Sequence, residues 1–291
     1  MPKAKPEISP DAQEAPAPSS RLVYRQALST RVTHWLWAVS LFFLLMSGLQ
    51  IFNAHPALYL GHQSGFEFDN TVLRIGVEEA ATGPVGYTEL LGFRVETTGF
   101  LGLSGGSGAQ QARAFSSWAT IPSGQDLASG RVVHFFFAWL LCFTLLIWLL
   151  TSVASGHLKR DILPRRTDLA ALGADMADHL RLRFHRGRSY GPLQKLSYAL
   201  VLLVLLPLMI LTGLAMSPGM NAAVPFLADM FGGRQTARTL HFLGMALILL
   251  FFIVHILMVA LAGPFNEMRS MITGWYRAED VRASKRKGES Q

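Results

Sequence analysis

Polar and apolar positions divide this chain into long blocks rather than alternating along it. Four runs, 32–52, 132–153, 196–216 and 240–261, are almost wholly apolar, and each has about the 20 residues that carry a helix across a hydrocarbon core. A helix that is apolar all round is not the one-sided helix of a water-soluble domain. The pattern predicts an all-α integral membrane protein, a four-helix transmembrane bundle with a long connection, 53–131, between its first two helices. The bundle and its connections occupy 21–277. Residues 1–20, rich in Pro, Ala, Glu and Ser, cannot bury a core and are expected to be a disordered tail, and 278–291 form a short basic tail.

Charge orients the bundle. The net charge is +7, and nine Lys/Arg fall in 154–195, five in 1–31 and six after 261. The connection 53–131 has four basic against seven acidic residues, and 217–239 has only Arg234 and Arg238. Basic loops stay in the cytoplasm, so both termini are expected inside and 53–131 in the periplasm of a bacterial inner membrane. The basic balance thus reports topology and lipid contact, not nucleic acid. No apolar core followed by a cleavage site precedes the first run, which is expected to serve as the insertion signal.

Histidines supply the candidate chemistry. Four of the nine lie in the apolar runs: His34, His134, His241 and His255. Ionisable groups at bilayer depth need a partner. His241 and His255 share a helix, where fourteen residues at about 1.5 Å each separate them by about 21 Å and return them to nearly one face. That is room for two stacked cofactors. Antiparallel crossings put His34 level with His255 on the inner side and His134 level with His241 on the outer side, the ligand set of two bis-histidine haems. The single cysteine, Cys142, allows no C-x-x-C-H attachment, so these are expected to be non-covalent b-type haems.

Arg31, Arg131 and Arg238 each precede a histidine by three residues, in Arg-Val-Thr-His34, Arg-Val-Val-His134 and Arg-Thr-Leu-His241. One turn nearer the surface on the same face, a guanidinium suits a haem propionate, although arginine also marks any helix end at the water interface. Gly48, Gly213 and Gly244 would let a flat macrocycle or a neighbouring helix approach the backbone. His157, His179 and His185 belong to the basic inner loop and are expected to be solvated or near headgroups. His55 and His62 are expected to pack locally or help docking. Trp35, Trp37, Trp118 and Trp275 suit interfacial anchoring.

The ligand pattern resembles the membrane di-haem cytochrome b family that includes bacterial cytochrome b561, hydrogenase cytochrome b and formate dehydrogenase gamma subunits. Asn53-Ala-His-Pro-Ala-Leu-Tyr-Leu-Gly-His62, Pro122-Ser-Gly-Gln-Asp-Leu-Ala-Ser-Gly-Arg131, Gly191-Pro-Leu-Gln-Lys-Leu-Ser-Tyr198 and Arg269-Ser-Met-Ile-Thr-Gly-Trp-Tyr276 are most similar to its thiosulfate-reductase-type branch. The resemblance implies axial ligation by His34, His134, His241 and His255. It also implies electron exchange between the quinone pool and a periplasmic oxidoreductase, often molybdopterin-dependent. The chain departs from compact members in its outer connection of nearly 80 residues.

A connection that long usually has a function. Its acidic excess suggests a docking surface for the partner, with a simple cover over the outer haem as the alternative. Leu101-Gly-Leu-Ser-Gly-Gly-Ser-Gly108 is flexible by composition, and Phe115-Ser-Ser-Trp-Ala-Thr-Ile121 is expected along the membrane surface. A quinone site at the inner haem would draw on Trp35, Lys195, Asn266 or Glu267. Rival readings are a stand-alone quinone-coupled oxidoreductase such as a superoxide oxidase, or a haem-free membrane anchor. A transporter should carry internal repeats, and none is evident in the sequence.

Overall fold

A computed structural model describes residues 21–105, 110–183 and 190–278. The tails 1–20 and 279–291, and His185, lie outside these. The chain enters as a short strand, β1 (Arg21–Tyr24), and then forms α1 (Leu28–Phe52). After α1 come five strands: β2 (Ala57–Tyr59), β3 (Thr71–Ala80), β4 (Gly83–Leu90), β5 (Phe93–Glu96) and β6 (Leu101–Ser104). A sixth, β7 (Gln111–Phe115), leads to α2 (Leu127–Ala154). The connection after α2 holds α3 (Arg166–Leu180); the bundle end on its side is called inner, and the end that bears 53–131 outer, after the topology expected from charge.

The third crossing, Pro192–Met216, runs as α4 (Pro192–Leu200), a π-helical turn Val201–Leu205, and α5 (Leu206–Met216). Two short outer helices, α6 (Pro218–Ala223) and α7 (Phe226–Met230), precede α8 (Arg234–Ala262). The chain closes with α9 (Pro264–Thr273) and β8 (Trp275–Ala278). Four helices, Leu28–Phe52, Leu127–Ala154, Pro192–Met216 and Arg234–Ala262, are long and apolar enough to cross a membrane. Each contains one of the expected runs and begins four to six residues earlier, because polar first turns carry the helix out of the apolar zone.

The all-α expectation fails in the outer connection. Its strands form an antiparallel four-stranded sheet in the order β2-β3-β4-β5 and a β6-β7 hairpin. The physical reason is visible in hindsight: Thr71–Ala80 is rich in β-branched residues and is followed by turn glycines, a strand signal that the composition of the whole connection obscures. Leu101–Ser104, expected to be flexible, is β6, while residues 106–109 lie outside the described ones. Phe115 ends β7 and packs inward on Phe52, although Trp118 beyond it is exposed.

This β-layer is fastened to the outer end of the bundle. Phe52, Leu58, Ile75 and Ala114 form a buried apolar cluster with Phe115 and Phe242 against it. Asn53 Nδ2 donates to Phe115 O at 3.1 Å and Phe115 N donates to Asn53 Oδ1 at 2.7 Å. Buried Arg113 donates to Gln50 Oε1 at 2.8 Å and to Ser123 O at 2.7 Å. Gly61 accepts the free N–H groups of Gln235 and Thr236 at 3.0 and 3.3 Å, so the Asn53–His62 motif caps α8. A side chain at Gly233 would collide with the Gly61 backbone there.

The bundle core comprises Leu141, Leu145, Trp148, Ile162, Val201, Leu205, Leu206 and Ile248. Trp37 belongs with it rather than at the interface: its Nε1 donates to Thr144 Oγ1 at 3.0 Å and its ring meets Trp148 edge-on. At the inner end β1 pairs antiparallel with β8. Arg25 sits between the Tyr190 and Tyr276 rings, 5.0 and 4.5 Å from their centres, with Glu267 at 3.8 Å. Burial pushes the Tyr190 hydroxyl above its usual range, and Gln26 Nε2 donates to it at 2.9 Å.

Candidate functional site: two facing histidine pairs

The bundle brings the four membrane histidines together in two pairs. The His34 and His255 ring centres lie 6.4 Å apart at 57°, and those of His134 and His241 lie 6.3 Å apart at 58°. Each pair spans two helices: α1 with α8 on one side, α2 with α8 on the other. Among the described residues no three His, Cys, Asp or Glu side chains gather as a metal site, so each pair offers two nitrogen donors and no more.

Neighbouring groups position the rings. His34 stands edge-on to Trp35 and His255 stacks on Phe251. Ser47 Oγ lies 3.1 Å from His134 Nδ1, and Thr212 Oγ1 lies 3.0 Å from His241 Nδ1. The next residue in each case is a glycine lying against the same ring. A Cβ on Gly48 would stand 3.4 Å from His134 Cε1, and one on Gly213 would stand 3.5 Å from His241 Cε1. Gly244 has another role, since a Cβ there would meet Met209 Sδ at 2.7 Å; it lets α8 and the third crossing pack closely.

Ser47 and Thr212 escape a reading that looks only for ionisable groups. A signal existed: Ser47-Gly-Leu and Thr212-Gly-Leu occupy the first and third crossings, and Arg131-Val-Val-His-Phe135 and Arg238-Thr-Leu-His-Phe242 open the second and fourth. These are two short local correspondences rather than a repeat of whole helices, and the β-layer between the first and second crossings separates them in the first half.

The arginines are variously engaged. Arg31 Nη1 donates to Ile272 O at 2.5 Å, and its buried Nε has no partner. Arg238 donates to His55 O, and its guanidinium lies 5.7 Å from the Phe52 ring centre. Exposed Arg131 lies 5.8 Å from the Phe135 ring centre. Arg234, Gln235, Arg238 and Met216 line a cavity of about 320 Å³ at the outer end.

His55 stacks on Tyr59, and burial together with Arg238 holds its imidazole below the usual range. His157 pairs with Asp161 at 2.8 Å and His179 lies 3.6 Å from Asp175, so both are locally paired rather than merely solvated. The four residues considered for a quinone are each bound elsewhere. Trp35 donates to Met271 O, Lys195 to Asp168, and Asn266 to Arg277 O, while Glu267 faces Arg25.

The profile of the family described as prokaryotic cytochrome b561 matches residues 25–274, nearly the whole described chain. The chain belongs to that family. It is therefore an integral membrane haem cytochrome of electron transfer, with b-type haem. One relative, from Azospira oryzae, is 29% identical over 233 residues, covering 79% of this chain and 87% of its own length. It is provisionally named a protein-methionine-sulfoxide reductase subunit, YedZ1. No solved structure matches the chain.

The histidine pairs fit such a group. With a metal–imidazole bond of about 2 Å and roughly 1 Å from ring nitrogen to ring centre, two axial imidazoles stand about 6 Å apart, centre to centre. Both observed separations meet that requirement. The glycines keep the backbone side of His134 and His241 clear, and the buried Nδ1 of His34 is unpartnered, as for a ring placed by something other than a protein hydrogen bond.

Proposed function

We propose that the chain is a di-haem electron conduit between the quinone pool and a periplasmic reductase, with His34 and His255 holding the inner haem and His134 and His241 the outer one. One observation carries this reading: two independent ring pairs share one separation, 6.4 and 6.3 Å, at opposite ends of α8. When bound, the haems supply one-electron carriage across the bilayer. The protein's work is to hold and shield. With two histidines held for each group, an iron bound there would have no open coordination position, so these residues suit electron carriage rather than substrate binding.

The Phe52, Phe115 and Phe242 cluster excludes water above the outer pair. Arg31, Arg131 and Arg238 lie one turn surfaceward of their histidines, where their remaining guanidinium donors suit haem propionates. Phe43 stacks on Phe137 at 4.3 Å between the first two crossings, adding apolar wall. The haem-free anchor reading leaves the two matched pairs without a purpose.

The β-layer lies on the side of the outer pair, and the basic residues of 1–31, 154–195 and the segment after 261 favour that side as the periplasmic one, with both termini inside. Its far edge is the partner surface in this reading. The free edge strand β5 is exposed along its whole length, with Phe93 81% and Val95 58% exposed. Arg94 on β5 pairs with Glu78 and Glu89, each at 2.6 Å, and with exposed Glu79 and Glu96 nearby the edge keeps an acidic excess that suits a partner with a basic rim. The Azospira relative, named for a reductase, supports a reductase as that partner; a molybdopterin enzyme is the form implied by the thiosulfate-reductase resemblance.

The test is a dithionite-reduced minus oxidised spectrum of the full chain in mild detergent, with a pyridine-haem count. The expected result is about two b haems per chain, both reduced by a quinol analogue. One haem or none overturns the di-haem assignment, and two haems that a quinol cannot reduce overturn the quinone link.

A further inference from the structure

The outer ring pair is held differently from the inner one. A serine or threonine hydroxyl has a single proton. Ser47 Oγ–H is directed at Phe43 O, 2.6 Å away, and Thr212 Oγ1–H at Leu208 O, 2.7 Å away. With that proton committed to the helix backbone, each hydroxyl oxygen can only accept from the imidazole beside it. The proton in the Ser47–His134 and Thr212–His241 contacts is therefore the ring's own. His134 and His241 thus both carry hydrogen on Nδ1, which leaves the Nε2 lone pair for the space between them.

The inner pair has no such arrangement. His34 Nδ1 is buried without a partner, and no hydrogen bond reaches His255 among the described residues. Two hydroxyls serve one pair and none serves the other.

We propose that Ser47 and Thr212 are positioning residues that fix the tautomer of both outer ligands and lower the midpoint potential of the outer haem alone. This rests on the di-haem reading above. A hydrogen-bond acceptor at Nδ1–H makes the opposite nitrogen a better electron donor, which favours the oxidised iron. Hydrogen bonding to an axial ligand is one of the few means a protein has of setting a haem potential. The hydroxyl-glycine dipeptides do two things at once: the hydroxyl orients the ring at Nδ1, and the glycine beside it leaves room for the ring's Nδ1–Cε1 edge to lie close to the helix. Because the dipeptide recurs on the first and third crossings, the outer pair is treated symmetrically, one hydroxyl per ligand.

Ser47→Ala, Thr212→Val and the double variant test this in the full-length haem-loaded protein, by anaerobic redox titration followed optically alongside a pyridine-haem count. In each single variant one of the two redox components should shift to higher potential, further in the double variant, while the other stays. Ser47→Thr and Thr212→Ser should restore the native value. The inference is overturned if neither component moves, if both move together, or if the conservative variants do not restore it. Should Ser47→Ala lose haem outright, Thr212→Val, equal in size to the native side chain, decides the matter. A wild-type protein without two haems overturns the underlying reading instead, and that is seen before any variant is made.

Discussion

The His134 ring faces the His241 ring across 6.3 Å, and His34 faces His255 across 6.4 Å in nearly the same orientation. Paired ligation makes a specific prediction about stoichiometry. His134→Ala and His241→Ala should each lose one haem of two, and the double variant should lose no more than either single one. His34→Ala with His134→Ala should lose both. A pyridine-haem count on the four proteins checks this; additive loss within a pair would sink the pairing.

Glycine supplies the second prediction. Gly48 and Gly213 stand against the His134 and His241 rings with room for a methyl group at ordinary contact, 3.4 and 3.5 Å. Gly48→Ala and Gly213→Ala should keep the outer haem, whereas Gly48→Leu and Gly213→Leu should displace the ring at a cost of about 1–3 kcal/mol or more. The check is loss of one spectral component with the inner one retained. Gly244→Leu, against Met209, should instead lower the melting temperature of the whole bundle.

Much of this is legible in the sequence. Length and hydropathy located the four crossings, since a hydrocarbon core demands about 20 apolar residues whatever the fold. Antiparallel topology then levelled His34 with His255 and His134 with His241, the pairs that the bundle brings together. Two things were not legible. The β-layer was hidden because its strands are half-buried and set among glycines, so the β-branched signal of β3 is diluted over the whole connection, and strand partners are fixed by register: β3 runs against β4 from Leu73↔Leu90 to Ala80↔Gly83. Ser47 and Thr212 were hidden because a hydroxyl in an apolar helix normally bonds its own backbone, and only the approach of an imidazole from another helix reveals its second role.

Asp168 carries a pH prediction. Its carboxylate accepts from Arg165 N at 2.9 Å, capping α3, and from Lys195 Nζ at 3.0 Å, tying α3 to the third crossing. The Arg165 amide first, and then Lys195, hold the carboxyl below its ordinary value. A depressed folded value means stability present above the unfolded value, about 3.9, and lost as pH falls through the folded one. The α3 amides should therefore exchange hydrogen slowly at pH 6 and faster below about pH 4 once intrinsic rates are removed. Asp168→Asn should show the faster exchange already at pH 6. Equal protection in the two proteins at pH 6 would exclude the tie.

The outer surface gives the last prediction, and the architecture dictates how to test it. Removing 65–111 would delete β3 with Ile75, part of the apolar cluster over Phe52 and Phe242, so damage to the outer haem would follow whether or not the layer docks a partner. Substitutions on the free edge avoid that confusion. Phe93 and Val95 sit two apart on β5, on the same face and away from the cluster. Phe93→Ser with Val95→Ser should leave the haem spectrum and quinol reduction intact while slowing electron delivery to the periplasmic reductase. Glu96→Lys should slow it too, most at low ionic strength, because charge acts mainly on the rate of encounter. A surface that merely covers the outer haem would show neither effect, and stopped-flow oxidation of the quinol-reduced cytochrome by its partner at two salt concentrations separates the cases.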